Sequence, residues 1–306
     1  MFHWRGLDMR YRKSVPDWIA VEWMQGDLRA WAMDRDGQVL MKVRSAQGLA
    51  QIASQAFETV LFNLVRPWLL KDRTPVVVGG AAAIVPGLRM QPAASVPCRL
   101  ADLPAIVRST DETRLILYTL PGLQSPAARG ADLTEDSVIR GVIVQQPEFD
   151  GVVCIPGAQS LWVRLRAGEV LNWQTFMTGE LVDLLAPPPR EVAAGLSPVL
   201  DQGAFDTAAA ATLSKPELLA HHLAVARDTS DPARSRLYGH LIAAELAATR
   251  ARWGKGQVLL VGATDQTDPY RRVLTTQGVA VQSGNRDELA LSGLRHAYQG
   301  LSETMV

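Results

Sequence analysis

Apolar and polar positions along this chain change period in a fixed order, and that order predicts its elements. Trp18-Ile19-Ala20-Val21 is a short β-type run, and Leu28 to Met33 and Val39 to Arg44 are two more. The last two are joined by Asp34-Arg35-Asp36-Gly37, whose Asp-Gly pair signals a hairpin, so three antiparallel strands are expected at the start. From Leu49 onward, Ile52, Ala53, Ala56, Phe57, Val60, Leu61 and Leu64 recur at helical spacing until Pro67, and Val76-Val77-Val78 then reads as a buried strand.

The same beginning occurs twice. Val152-Val153-Cys154-Ile155 is a buried strand, and Leu161 to Leu165 and Val170 to Phe176 form a hairpin around Ala167-Gly168, after which Thr178 opens a helix. Helical runs follow near Pro216 to Arg227 and Pro232 to Trp253, then the strand Val258 to Val261, a helix from about Pro269, the strand Val279 to Val281 and a last helix from about Arg286. Pro187-Pro188-Pro189 marks a rigid break. The pattern predicts a duplicated α/β architecture of two lobes with a cleft between them. Its expected parts are a flexible basic tail (1–16), an N-terminal lobe (17–145) and a C-terminal lobe (146–306). The final helix, over about 286–300, is expected to pack back toward the first lobe.

At roughly 150 residues per domain, 306 residues agree with two units. Thirty-one Lys plus Arg balance thirty-one Asp plus Glu, so no overall field favours nucleic acid or anionic lipid. The longest uncharged apolar stretch, Val76 to Leu88, is interrupted by Gly79, Gly80 and Pro86 and falls short of the roughly 20 residues of a bilayer span. The tail carries Arg5, Arg10, Arg12 and Lys13 against Asp8 and holds no secretory apolar core. Cys98 and Cys154 are the only cysteines, which supports neither a disulfide framework nor a cysteine zinc site; a reducing cytoplasm is the expected compartment. P-loop, nucleophile-elbow and His-Glu-x-x-His patterns do not occur.

Particular residues narrow the reading. Glu22-Trp23-Met24-Gln25-Gly26-Asp27-Leu28-Arg29-Ala30-Trp31 resembles the opening Asp-Trp-Gly-Ser/Thr-Thr-Asn-Leu-Arg-Ala-Trp of the 2-dehydro-3-deoxygalactonate kinases. Further segments resemble that family in the same order: Ser95-Val96-Pro97, Leu120-Pro121-Gly122-Leu123, Ile139-Arg140-Gly141, Ile155-Pro156-Gly157 with Trp162, Phe176-Met177-Thr178-Gly179-Glu180-Leu181 and Leu260-Val261-Gly262. The resemblance implies a two-lobed, ribonuclease-H-like fold of the actin and hexokinase type. It also implies an ATP- and Mg²⁺-dependent kinase that phosphorylates 2-dehydro-3-deoxy-D-galactonate at its 6-hydroxyl.

On that resemblance Glu22 and Arg140 are the catalytic candidates, with Glu22 holding Mg²⁺ through water. Gln25, Gly26, Gly157, Ala158, Gln159, Ser160, Gly262, Ala263 and Thr264 would face phosphates and nucleotide. Arg29, Thr178, Gly179 and Glu180 would face the substrate. Thr178-Gly179-Glu180 reads equally as a helix N-terminus, and Trp23, Trp31 and Trp162 read as packing residues. The expected partners are a small sugar acid and a second copy of the chain, with no nucleic acid and no membrane.

The chain departs from the family where chemistry is concentrated. Met24 stands where a glycine would let backbone approach phosphate, and Asp27 adds a negative charge there. At about 4 Å and an effective dielectric near 20, such a like-charge contact costs on the order of 4 kcal/mol. The turn Pro156-Gly157-Ala158-Gln159-Ser160-Leu161-Trp162 lacks the family's Thr, His and Lys, and Gly80-Ala81-Ala82-Ala83-Ile84 replaces Gly-Met-Val-Gly-Ser. The family's Arg-Gly-Glu-Glu reads as Arg140-Gly141-Val142-Ile143, which leaves no candidate general base. The alternative to a kinase is therefore an impaired or inactive relative serving as a sugar-acid sensor or protein-interaction module.

Overall fold

The computed structural model describes residues 15–53, 56–69, 73–81, 93–108, 110, 112–125, 133–186, 200–227, 232–253 and 256–304. Most of the basic tail, residues 82–84 of the Gly80 segment and the Pro187-Pro188-Pro189 break lie outside them. The first sheet is built from β1 (Trp18–Trp23), β2 (Leu28–Met33), β3 (Val39–Ser45), β4 (Thr74–Gly80), β7 (Ile106–Arg108) and β8 (Leu115–Thr119). The second contains β6 (Cys98–Arg99), β10 (Asp150–Ile155), β11 (Ser160–Arg166), β12 (Glu169–Phe176), β13 (Gln257–Val261) and β14 (Ala280–Gly284), and β5 (Ala94–Ser95) pairs with β9 (Leu123–Gln124) in a small two-stranded sheet.

Their strand orders, β3-β2-β1-β4-β8-β7 and β14-β13-β10-β11-β12-β6, contain the same arrangement twice. In each, a strand and its antiparallel hairpin precede two parallel strands reached by crossovers. This is the duplicated, ribonuclease-H-like arrangement expected from the sequence. Both hairpins are local: Ala167 and Gly168 adopt φ of +47° and +81°, the left-handed pair that lets a two-residue turn follow strand twist.

Alternation along the strands divides each sheet between two layers. In the first, Ile19, Val21, Trp23, Val76 and Val78 pack on Phe57, Leu61 and Val65 of α1 (Phe57–Val65), while Trp18, Ala20 and Val77 pack on Leu291, Leu294 and Ala297 of α8 (Arg286–Thr304). In the second, Val153 and Ile155 pack on Val138, Ile139 and Val142 of α2 (Asp136–Gln145). Its other face meets α4 (Gln202–Ser214), α6 (Ala233–Trp253) and α7 (Thr264–Thr276) through Phe205, Ile242, Leu246, Tyr270 and Leu274, and α5 (Leu219–Ala226) packs on α6 through Ala226. The two halves of the chain thus exchange elements: β6 pairs with β12, α2 lies on the second sheet and α8 on the first.

α2 and α8 cross at van der Waals closeness because glycine stands on both sides. A Cβ on Gly141 would sit 1.9 Å from the Leu289 carbonyl oxygen, and one on Gly293 2.0 Å from that of Ser137.

Two helix starts differ from the pattern. The first helix begins at Phe57, not Leu49, because the Leu49 and Ala50 amides donate to the Met24 and Gln25 carbonyls and clamp the turn after β1. α7 begins at Thr264, five residues ahead of Pro269, with its first amides bonded to Ala263. α4 has no counterpart in the expected pattern, since its Ala-rich sequence buries little beyond Phe205, Ala208, Ala209 and Thr212.

Candidate active site

Glu22 stands near the end of β1 on the Trp18 and Ala20 face, and it is completely buried. A buried carboxylate requires compensation, which here comes from two lobes. Arg29 lies opposite it in the β1–β2 register, with Nη1 3.4 Å from Glu22 Oε2. Ser137 Oγ donates to Glu22 Oε1 at 3.2 Å. Arg286, the first residue of α8, places Nη2 3.4 Å from the same oxygen and 2.7 Å from Glu135 Oε2.

Glu135 and Asp136 open α2, where the helix N-terminus favours negative charge. Asp136 Oδ1 accepts from the Gly80 and Ser137 amides, both at 2.7 Å, tying α2 to the end of β4. Gly80 has φ +83°, and a Cβ there would lie 2.9 Å from the Trp23 carbonyl oxygen and the Met24 sulfur, so glycine is required. Burial pushes the Glu135 carboxyl up to about 7, assisted by the charge of Glu22 and opposed by Arg286 and Arg29. Burial likewise pushes Asp136 up to about 7 against its two amide hydrogen bonds. Of the two acids, Asp136 is committed to backbone, whereas the Glu135 side chain accepts, among the described residues, from Arg286.

The rim corrects one expectation. Asp27 is not a bare negative charge: Arg29 and Arg44 each bring Nε within 2.9 Å, with 2.8 Å for Arg29. Burial works to raise its carboxyl pKa, but the two arginines outweigh this and hold it below the ordinary value. The 4 kcal/mol penalty (order of magnitude) therefore does not apply to a paired charge. Met24 lies over Gly80, while Gln25 and Gly26 are exposed at the turn.

The second lobe presents a cavity of about 230 Å³ lined by Pro156, Gly157, Ala158, Gly179, Asp183, Tyr238, Asp265, Gln266 and Tyr270 among others. Glu180 N–H donates to the Ala158 carbonyl at 2.9 Å, and Gln159 Nε2 donates to Glu180 Oε1 at 2.9 Å, so the Gly157 turn and α3 (Thr178–Leu185) form one wall. Gly262 (φ +152°), Ala263 and Thr264 lead from β13 into α7 beside this cavity. Ser160 and Thr178 are buried and turn inward to Glu245 rather than toward a ligand.

Arg140 is not in the cleft. It is 1% exposed and donates from Nη1 and Nη2 to the Ala101 and Leu103 carbonyls at 2.9 Å, where it fixes a backbone turn. Nor does Glu22 fit as a metal holder, because two guanidinium groups and a hydroxyl already surround it. Among the described residues, no group of three or more His, Cys, Asp or Glu side chains is placed to hold a metal ion.

Residues 22–297 match the sequence model of the family described as 2-keto-3-deoxy-galactonokinase. The chain belongs to this family. Two relatives are named as 2-dehydro-3-deoxygalactonokinases. That of Rhizobium meliloti (strain 1021) is 29% identical over 297 residues, covering 93% of this chain and 97% of the relative. That of Escherichia coli (strain K12) is 25% identical over 292 residues, covering 91% and 96%. A crystal structure described under the same activity, from Sinorhizobium meliloti, superposes with a TM-score of 0.79 at 29% identity and covers 93% of this chain and 99% of its own.

The structure brings two further acids to the lobe junction: Glu135 and Asp136, just ahead of Arg140 at the start of the same helix, whereas Val142 and Ile143 are core residues of α2. The signal available in the sequence was two acids immediately before an apolar helical run, the position that the helix dipole favours. Arg286 carried no comparable signal.

Proposed function

We propose that this chain is an ATP-dependent sugar-acid kinase, acting on 2-dehydro-3-deoxy-D-galactonate at the 6-hydroxyl. The observation that carries the reading is Glu135, a buried carboxyl at the lobe junction, 2.7 Å from Arg286 Nη2 and with its pKa pushed up to about 7 by burial. A general base works best when its pKa lies near the working pH. Family membership supplies the substrate class.

In this reading the substrate hydroxyl lies beside Glu135, whose carboxylate accepts its proton. The hydroxyl oxygen forms a bond to the γ-phosphorus, the bond from that phosphorus to the β–γ bridging oxygen breaks, and ADP leaves. Phosphoryl transfer depends mostly on positioning and charge neutralisation. Arg286 and Arg29 provide fixed positive charge for the anionic groups of phosphate and substrate, and Glu22 keeps both guanidinium groups in place. MgATP enters as a substrate, its metal already bound to the triphosphate, and no step is assigned to a metal held by Glu22.

The cavity of the second lobe suits the nucleoside end. Asp265 and Asp183, the latter held by Arg234 Nη2, line it with carboxylate acceptors for hydroxyl donors, and Gly157 and Ala158 form part of its wall. The reading of an inactive sensor rests on Met24 in place of a glycine, the missing Thr, His and Lys of the Pro156-Gly157 turn, the apolar Gly80 segment, the absent acids and the charge of Asp27. Against it stand the Asp27–Arg29–Arg44 cluster, which pairs that charge, and the buried Glu135, which supplies a candidate base. ADP release measured by a coupled assay with MgATP and the sugar acid tests the proposal.

A further inference from the structure

Glu245 lies within α6, 1% exposed, and takes no part in the chemistry described above. Among the described residues its carboxylate has four hydrogen-bond donors and no basic side chain. Ser160 Oγ donates to Oε1 at 2.7 Å, Tyr270 OH donates to Oε1 at 3.0 Å, Thr178 Oγ1 donates to the same oxygen, and Trp162 Nε1 donates to Oε2 at 2.7 Å. Hydrogen bonds to an ionised acceptor are about twice as strong as neutral ones, so the four together can hold a buried carboxylate. Burial still pushes its pKa upward against them.

The donors belong to three separate elements that surround the second-lobe cavity. Ser160 and Trp162 lie on β11, directly after the Gly157-Ala158 turn; Thr178 opens α3, directly before Gly179; Tyr270 is on α7 and lines the cavity itself. The spacing between these walls is tight: a Cβ on Gly179 would lie 2.5 Å from the Gly157 carbonyl oxygen. A shift of either β11 or α3 would close or splay the turn.

We infer that Glu245 is a positioning residue for the nucleotide, its carboxylate tying β11, α3 and α7 together and so setting the distance between the Gly157 and Gly179 turns. The inference rests on the nucleotide reading of this cavity given under Proposed function. A pocket wall set by one carboxylate makes nucleotide affinity depend on its charge while leaving the sugar-acid side of the cleft untouched.

The test uses the full chain with Glu245→Gln, which keeps the volume and removes the charge, with Tyr270→Phe, and with the double variant. ADP binding is measured by titration calorimetry, and the KM for ATP, the KM for the sugar acid and kcat are measured in the coupled assay. Glu245→Gln is expected to weaken ADP binding and raise the ATP KM by about tenfold. The sugar-acid KM is expected to stay unchanged and kcat at saturating ATP to stay close to wild type. Tyr270→Phe is expected to move the same quantities, and the double variant to be no worse than Glu245→Gln, because the two changes cut the same tie. A Glu245→Gln protein that binds ADP as wild type does, or that loses both substrates equally, overturns the inference, as does a wild-type protein that binds no ADP. A wild-type protein that binds ADP, with the Glu245→Gln deficit, but does not phosphorylate the sugar acid upholds the inference and removes the proposed substrate instead.

Discussion

Glu135 Oε2 and Arg286 Nη2 stand 2.7 Å apart, joining the first turns of the two helices that cross between the lobes. Each helix lies on the other half's sheet, so the contact is fixed by the exchange of elements rather than by a flexible loop. Arg286 opposes the burial that raises the Glu135 pKa, and its charge also reaches Glu22. The same guanidinium therefore tunes the base and supports the strand carboxylate.

A base is active only when deprotonated, so kcat/KM for the sugar acid is expected to rise with pH and level off above about 7, the value of the Glu135 carboxyl. A flat profile between pH 5.5 and 8.5 would separate Glu135 from proton transfer.

Replacing Arg286 by Met removes the opposing positive charge, so the Glu135 pKa moves further up. The acid limb of the kcat/KM profile is expected to shift alkaline by about one unit or more. Two buried carboxylates would then share Arg29 alone, and because Arg286 remains partly exposed a stability loss of about 2 kcal/mol is expected, below that of a fully buried pair. Urea unfolding measures the second effect, and a limb moving to lower pH would contradict the first.

Gly141→Ala and Gly293→Ala each place a methyl within 2.0 Å of a carbonyl oxygen of the facing helix, 1.9 Å for Gly141. Backbone cannot move aside as a side chain can, so each is expected to cost about 3 kcal/mol or more in urea unfolding. Gly26→Ala, with nothing within 4 Å of the new methyl, should leave stability within about 0.5 kcal/mol.

Asp136 has a folded pKa raised from 3.8 to about 7. A raised carboxyl contributes stability that is fully present below the unfolded pKa and is lost as pH climbs through the folded one. Each unit crossed in the window from about 4 to 7 costs about 1.4 kcal/mol. Asp136→Asn keeps the Oδ1 acceptor for Gly80 and Ser137 and cannot ionise, so its Tm should fall less than that of wild type between pH 4 and 7.

What the sequence made legible was local. The two hairpins, the buried parallel strands and the start of the last helix follow from period and turn chemistry within a few residues of each other. Periodicity starts the first helix at Leu49, but α1 begins at Phe57 because the Leu49 and Ala50 amides go to the turn after β1, a demand that periodicity does not record. The site was half legible. Glu22 and Arg29 sit in a motif, and Glu135-Asp136 carries a helix-start signal that does not by itself mark a buried site. Arg286 meets Glu22 across 264 positions of sequence, with only tertiary structure to bring them together.

The central claim is that Glu135 serves phosphoryl transfer to a sugar acid. ADP release from MgATP and 2-dehydro-3-deoxy-D-galactonate, compared between the wild-type chain and Glu135→Gln, tests it most directly. The account predicts wild-type turnover within the roughly 1–100 s⁻¹ of kinases. It predicts a loss of about 10²–10⁴ in kcat for the variant, with ADP binding retained. Wild-type turnover at background, or a Glu135→Gln enzyme as fast as wild type, would contradict it.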